Sequence, residues 1–160
     1  MKTDKALHNI CIAAIKRSTI KPYDFKWTKF YDLDHDNVNS ELEIDLIENE
    51  LLICSTIIDT ENYSILTTRR LLTKIDGQLD ICNLEGVIDK FYGDFKGYRD
   101  LNWTFGKVEL QSGIIIKYFI EVGRASMIMI HGVKTLIRTT EMTNIQIENV
   151  TRVWNKHNKE

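Results

Sequence analysis

Between residues 63 and 78 the chain reads YSILTTRRLLTKIDGQ. Apolar runs at residues 63–66 and 71–75 flank a polar joint at residues 67–70, and Asp76-Gly77 closes the second run. The pattern predicts strand, tight turn, strand, tight turn. Asp-Gly is a strong hairpin signal because the turn that fits twisted strands needs positive φ. This fixes antiparallel β structure early in the reading.

The flanking pattern extends the count. Thr3 is placed to cap a first helix, with Asp4 in its first turn and Lys16 and Arg17 in its last, where each suits the helix dipole. Leu7, Ile10, Cys11 and Ala14 follow three-and-four spacing. That stripe is narrow, so a surface helix is expected. Tyr23, Phe25 and Trp27 alternate with polar residues and predict a short strand. After a polar loop at residues 32–40, residues 51–58 read as a buried strand and residues 59–62 as its turn.

Further strands are expected around Leu79 and Ile81 and around Val87, Ile88 and Phe91. Residues 89–106 carry Gly93, Gly97, Gly106 and a concentration of aromatics without clean periodicity, which predicts a long loop. Val108 and Leu110, the Ser112-Gly113 turn and residues 114–121 make another hairpin. Residues 126–130 and 133–137 read as a final strand or strand pair. Thr143 and Gln146 then have capping-box spacing, with Met142 and Ile147 as a hydrophobic staple. Ile147, Val150, Val153 and Trp154 give that last helix an apolar face.

Composition adds boundaries. A chain of 160 residues, 43% hydrophobic and 28% charged, fits one globular domain with a sizeable core. Residues 1–40 hold the helix and extended segment, and residues 41–160 the β-rich core. The net charge of −2 gives no general attraction to nucleic acid or an anionic membrane. Cys11, Cys54 and Cys82 are odd in number and lack CxxC spacing, so buried free thiols in a reducing compartment are expected. His8 and Asn9 break the apolar part of the N-terminal stretch, and no apolar run is long enough to span a bilayer. A cytoplasmic protein without stable membrane insertion is the expectation.

The order of short antiparallel strands followed by an amphipathic helix with a tryptophan resembles the pleckstrin-homology-like fold. That fold is a bent seven-stranded barrel plugged by its final helix. The local likeness is to bacterial members, in which a leucine-threonine, short turn, arginine, aliphatic pattern joins two strands. Here it is Leu66-Thr67-Thr68-Arg69-Arg70-Leu71-Leu72. The resemblance covers residue 41 to the end. It implies a mainly β fold with α elements, an antiparallel barrel or sandwich closed by the C-terminal helix, with the N-terminal helix added. It also implies binding of proteins, peptides or lipid headgroups, usually without catalysis or a cofactor. The turn Asp59-Thr60-Glu61-Asn62 is acidic where headgroup-binding members are basic.

Several clusters carry candidate chemistry. Asp32, Asp34, Asp36 and Glu43 have the one, three, five and twelve spacing of a calcium loop, although Asn39 stands where an aliphatic residue is normal. A solvated Asp/Asn loop is the competing reading. Arg69, Arg70 and Lys74 could hold an anion or simply line a solvated strand. Tyr92, Phe95, Lys96, Tyr98, Arg99 and Trp103 combine the residue types that concentrate binding energy at protein interfaces. Asp89, Asp94 and Asp100 offset the positive charge there and disfavour nucleic acid. Phe91, Trp103 and Phe105 could instead be core residues. The four histidines are scattered, and nucleophile elbow, HExxH and phosphate-loop motifs are absent.

The leading expectation is a non-catalytic pleckstrin-homology-like module for a protein partner. A small bacterial immunity or adaptor protein and an enzyme or ligand carrier using a barrel cavity are the alternatives. An uncovered strand or the narrow first helix could serve a homodimer.

Overall fold

A computed structural model describes residues 3–32, 42, 44–98, 101–141 and 152, with the backbone alone for residues 89–91. In chain order the elements are α1 (Asp4–Ser18), β1 (Thr28–Phe30), β2 (Leu52–Asp59), β3 (Asn62–Thr67), β4 (Leu71–Ile75), β5 (Gln78–Cys82), β6 (Ile88–Phe91), β7 (Trp103–Glu109), β8 (Ile115–Glu121) and α2 (Ser126–Glu141). β1 to β5 form a five-stranded antiparallel meander, and β6 to β8 a three-stranded one. The strands make two sheets, and no closed barrel is present among the described residues.

The local signals act as the chain predicts where the turn chemistry is strong. Asp76 and Gly77 adopt φ of 49° and 83°, so β4 and β5 meet in a tight turn with Ile75 opposite Gln78. Thr3 Oγ1 accepts the Ala6 N–H at 3.1 Å and caps α1. Burial on α1 is wider than its narrow stripe suggests. His8, Ile12, Ala13 and Ile15 are buried together with Ile10, Cys11 and Ala14, because α2 and β2 pack on it. The expected surface helix is therefore part of the central core.

The expected strand pair at residues 126–130 and 133–137 is a single helix, α2. Its apolar run fits both periods, and a short apolar run cannot be assigned by period alone. Burial of Met129, Val133, Leu136 and Ile137 follows the helical spacing. Gly132 makes the packing possible: a Cβ there would lie 2.7 Å from Cys54 Sγ and 3.1 Å from Leu66 Cδ2. The strand expected over Tyr23, Phe25 and Trp27 is also displaced. Pairing begins only at Thr28, and the Trp27 carbonyl accepts the Ile57 N–H at 2.9 Å. The last helix with Thr143, Gln146 and Trp154 falls outside the described residues.

The two sheets face each other through β8 and the β2–β4 strands. Phe119 N–H donates to Ser64 Oγ at 2.8 Å, and Ser64 also bonds Thr73 Oγ1 at 2.7 Å, so a buried hydroxyl pair ties them together. Tyr118 fills the space between them over Gly106, where a Cβ would meet its ring at 2.3 Å. Leu66, Leu71, Val108 and Ile120 complete this fully buried layer.

Candidate functional site

Arg69 and Arg70 lie in the joint between β3 and β4, and both are engaged by carboxylates of the same chain. Arg69 grips Asp4 through Nε to Oδ1 at 3.1 Å and Nη2 to Oδ2 at 3.0 Å. Arg70 grips Glu50 through Nε to Oε2 at 2.9 Å and Nη2 to Oε1 at 3.1 Å, and reaches the Asp45 carbonyl at 2.8 Å. Such paired, forked contacts are the strong form of charge-assisted hydrogen bond. The Glu50 side chain is fully buried and also accepts the Thr67 hydroxyl and the Ile47 N–H. Burial alone would raise its pKa, yet the Arg70 and Thr67 hydrogen bonds and the Arg70 charge outweigh it and hold it below the ordinary value. Asp4 is lowered in the same way, burial being overcome by Arg69 and Thr68. Lys74 stands near the far end of β4, 3.9 Å from Glu61. The three basic residues named as an anion set thus do not converge.

Asp32 forms an ion pair with Lys16 at 3.0 Å; Asp34, Asp36 and Glu43 lie outside the described residues. No group of three potential ligands stands ready for a metal ion among the described residues. Cys11, Cys54 and Cys82 are free and buried, as their spacing predicts. Burial pushes Cys11 up to about 12 and Cys82 up to about 11, so both stay protonated thiols at neutral pH.

The described parts of the aromatic loop, residues 92–98 and 101–102, are held by hydrogen bonds at several points. Asp94 N–H donates to Thr104 Oγ1 at 3.2 Å, Tyr98 N–H to Asp94 Oδ1 at 3.1 Å, and Gly123 N–H to the Phe95 carbonyl at 2.8 Å. Gly93, at φ of 59°, allows the close approach, since a Cβ there would lie 2.2 Å from Thr104 Oγ1. Tyr92 and Phe95 pack edge to face at 6.3 Å and lean on the core. Tyr98 is 83% exposed, Leu101 55% and Trp103 36%. Arg99 lies outside the described residues. Residues 92–98 are therefore tied to the sheet while Tyr98 faces water, a combination that lowers the entropy cost of docking.

Trp103 continues the surface onto residues that the linear sequence does not connect. Its ring meets Trp27 edge to face at 5.5 Å, and Lys26 Nζ lies 4.6 Å from the Trp27 ring centre. Below the pair, the buried Glu121 accepts the Lys26 and Trp27 N–H groups on Oε1 at 3.0 and 3.2 Å, while Oε2 has no hydrogen-bond partner among the described residues. On the other side of the β8 exit, a mainly apolar pocket of about 390 Å³ is lined by Ile20, Phe95, Lys96, Arg124 and Met127. Ile20 is 70% exposed at its rim.

Sequence reading found the loop and missed Ile20, Trp27, Glu121 and Arg124. A lone aliphatic between Thr19 and Lys21-Pro22, just past a helix end, was the available signal for Ile20. Glu121 and Trp27 meet across 94 positions, and no local pattern announces that. Exposed aliphatics also occur elsewhere, at Leu79 and Ile81 on β5 and at Ile88, Ile114 and Ile115. Among the described residues no helix is long and apolar enough to cross a membrane. No protein-family model, curated protein or solved structure matches the chain.

Proposed function

We propose that this chain is a non-catalytic, pleckstrin-homology-like binding module that recognises a protein partner through the face formed by residues 92–98 and 101–103. The observation that carries the reading is the pinned loop with Tyr98, Leu101 and Trp103 held out to solvent beside an apolar pocket. Exposed aromatics on a fixed scaffold are the usual anchors of protein interfaces. The fold assignment is supported by order: β2 to β8 are seven antiparallel strands followed directly by a helix. In this reading α2 takes the role of the final helix, and α1 and β1 are additions.

Two observations weigh against the other ligand classes. Tyr118 lies buried over Gly106 in a core cluster shared by residues of both sheets, where a carrier or an enzymatic barrel would keep space open. The turns at residues 59–62 and 76–77 present Asp59, Glu61 and Asp76, a poor surface for anionic headgroups.

Co-purification of the tagged full chain from its native organism, read by quantitative mass spectrometry, tests the proposal. One stoichiometric protein should be captured, and Tyr98→Ala with Leu101→Ala should reduce it about tenfold or more. The double variant should keep the wild-type stability to within about 0.5 kcal/mol, since both side chains are exposed. Retention of a small ligand with no stoichiometric protein would contradict the reading.

A further inference from the structure

Residues 18–23 leave α1 as a strap with a pocket on each side. The mainly apolar pocket described above lies on one flank. On the other, a pocket of about 350 Å³ is lined by Lys16, Lys21, Tyr23, Lys29, Phe30 and Ile128, with Asp32 at its edge. The consecutive residues Met127 and Ile128 of α2 contribute to the two pockets in turn. Arg124 Nη1 donates to the carbonyls of Ile20 and Pro22, each at 3.4 Å, which fixes the strap between them.

The charge here runs against that of the whole chain, which is −2. Lys16, Lys21, Lys29, Lys96 and Arg124 converge on the two pockets. Among the described residues, the acids paired with them are Asp32, 3.0 Å from Lys16, and Asp24, 3.8 Å from Arg124. Both are exposed surface pairs and weakly held. Lys21 and Lys29 lie over the Tyr23 and Tyr31 rings at 6.0 and 5.0 Å, with no ion pair to a carboxylate among the described residues. A local excess of one sign around walled pockets concentrates ligands of the other sign.

We propose that the strap and its two pockets bind an acidic segment of a protein partner. Carboxylates of that segment meet Lys16, Lys21 and Lys29, while an apolar side chain next to them enters the pocket beside Ile20, Phe95 and Met127. The inference rests on the reading of this side of the molecule as partner-binding and specifies what the partner carries. A protein segment fits better than an anionic bilayer. The apolar pocket beside the strap is a concavity sized for a side chain of a protein segment, with Ile20 exposed at its rim, whereas bilayer docking uses a broad protruding apolar face.

The test is an amide NMR titration of the full chain with the capped peptide EELEE, with QQLQQ as its neutral control. Vesicles containing one-third phosphatidylserine form a separate arm. EELEE should give saturable shifts at Ile20, Phe95 and Met127. Lys21→Glu with Lys29→Glu, both surface changes, should weaken its binding roughly tenfold. Equal binding of QQLQQ, equal binding to the charge-reversed variant, or vesicle binding without a response to EELEE would each overturn the proposal. Capture of the same native protein by wild type and by the charge-reversed variant would sink this inference alone. Capture of nothing by the wild type would sink the functional reading beneath it.

Discussion

The β3–β4 joint and the β8 exit hold similar residue types and use them in opposite ways. At the joint, Arg69 and Arg70 are each matched to a carboxylate from a distant segment, and Glu50 is sealed from solvent with every acceptor occupied. The pairs tie α1 and residues 44–50 to the sheet, so charge there serves the fold. At the β8 exit, lysines outnumber the acids among the described residues, and aromatic and aliphatic tips stay exposed. Glu121 Oε2 has no hydrogen-bond partner among the described residues. Two sites with like composition are separated by whether the chain itself supplies the complement. Where it does, the residues stabilise; where it does not, the proposed partner would supply the complement.

Breaking the joint should have the largest effect. Arg70→Met leaves the buried Glu50 carboxylate without its guanidinium and should cost about 3 kcal/mol in urea unfolding. Gly106→Ala follows, because a methyl forced against the buried Tyr118 ring should cost about 1–3 kcal/mol in the same assay. A pH series sharpens the contrast more gently. Glu50 and Asp4 have folded values below their references of 4.5 and 3.8, so their stabilisation is present in full above that range. It is lost as pH falls through the lowered values. Glu50→Gln should therefore flatten the acid limb of the stability curve, while Lys21→Glu should leave that limb unchanged.

The legible parts of the chain were those specified by neighbours in sequence. Asp76-Gly77 demands positive φ, and Thr3 caps the helix that begins at the next residue. The joint at residues 67–70 was visible as a turn, but the carboxylates Asp4 and Glu50 that occupy its arginines were not, because they come from 65 and 20 positions away. α2 was misread because residues 126–137 are apolar enough to satisfy a strand or a helix. The helix is set by tertiary packing, including the close approach of Gly132 to Cys54 and Leu66. The aromatic loop was found by composition. Its orientation, with Phe95 inward and Tyr98 outward, depends on the Asp94, Thr104 and Gly123 hydrogen bonds that composition does not encode.

Hydrogen–deuterium exchange on the full chain, free and in complex with the captured partner, tests the central claim most directly. Protection should appear in residues 18–23 and 92–103 while the joint at residues 67–70 exchanges as before. Protection confined to the joint or to the β5 edge at Leu79 and Ile81 would contradict the account.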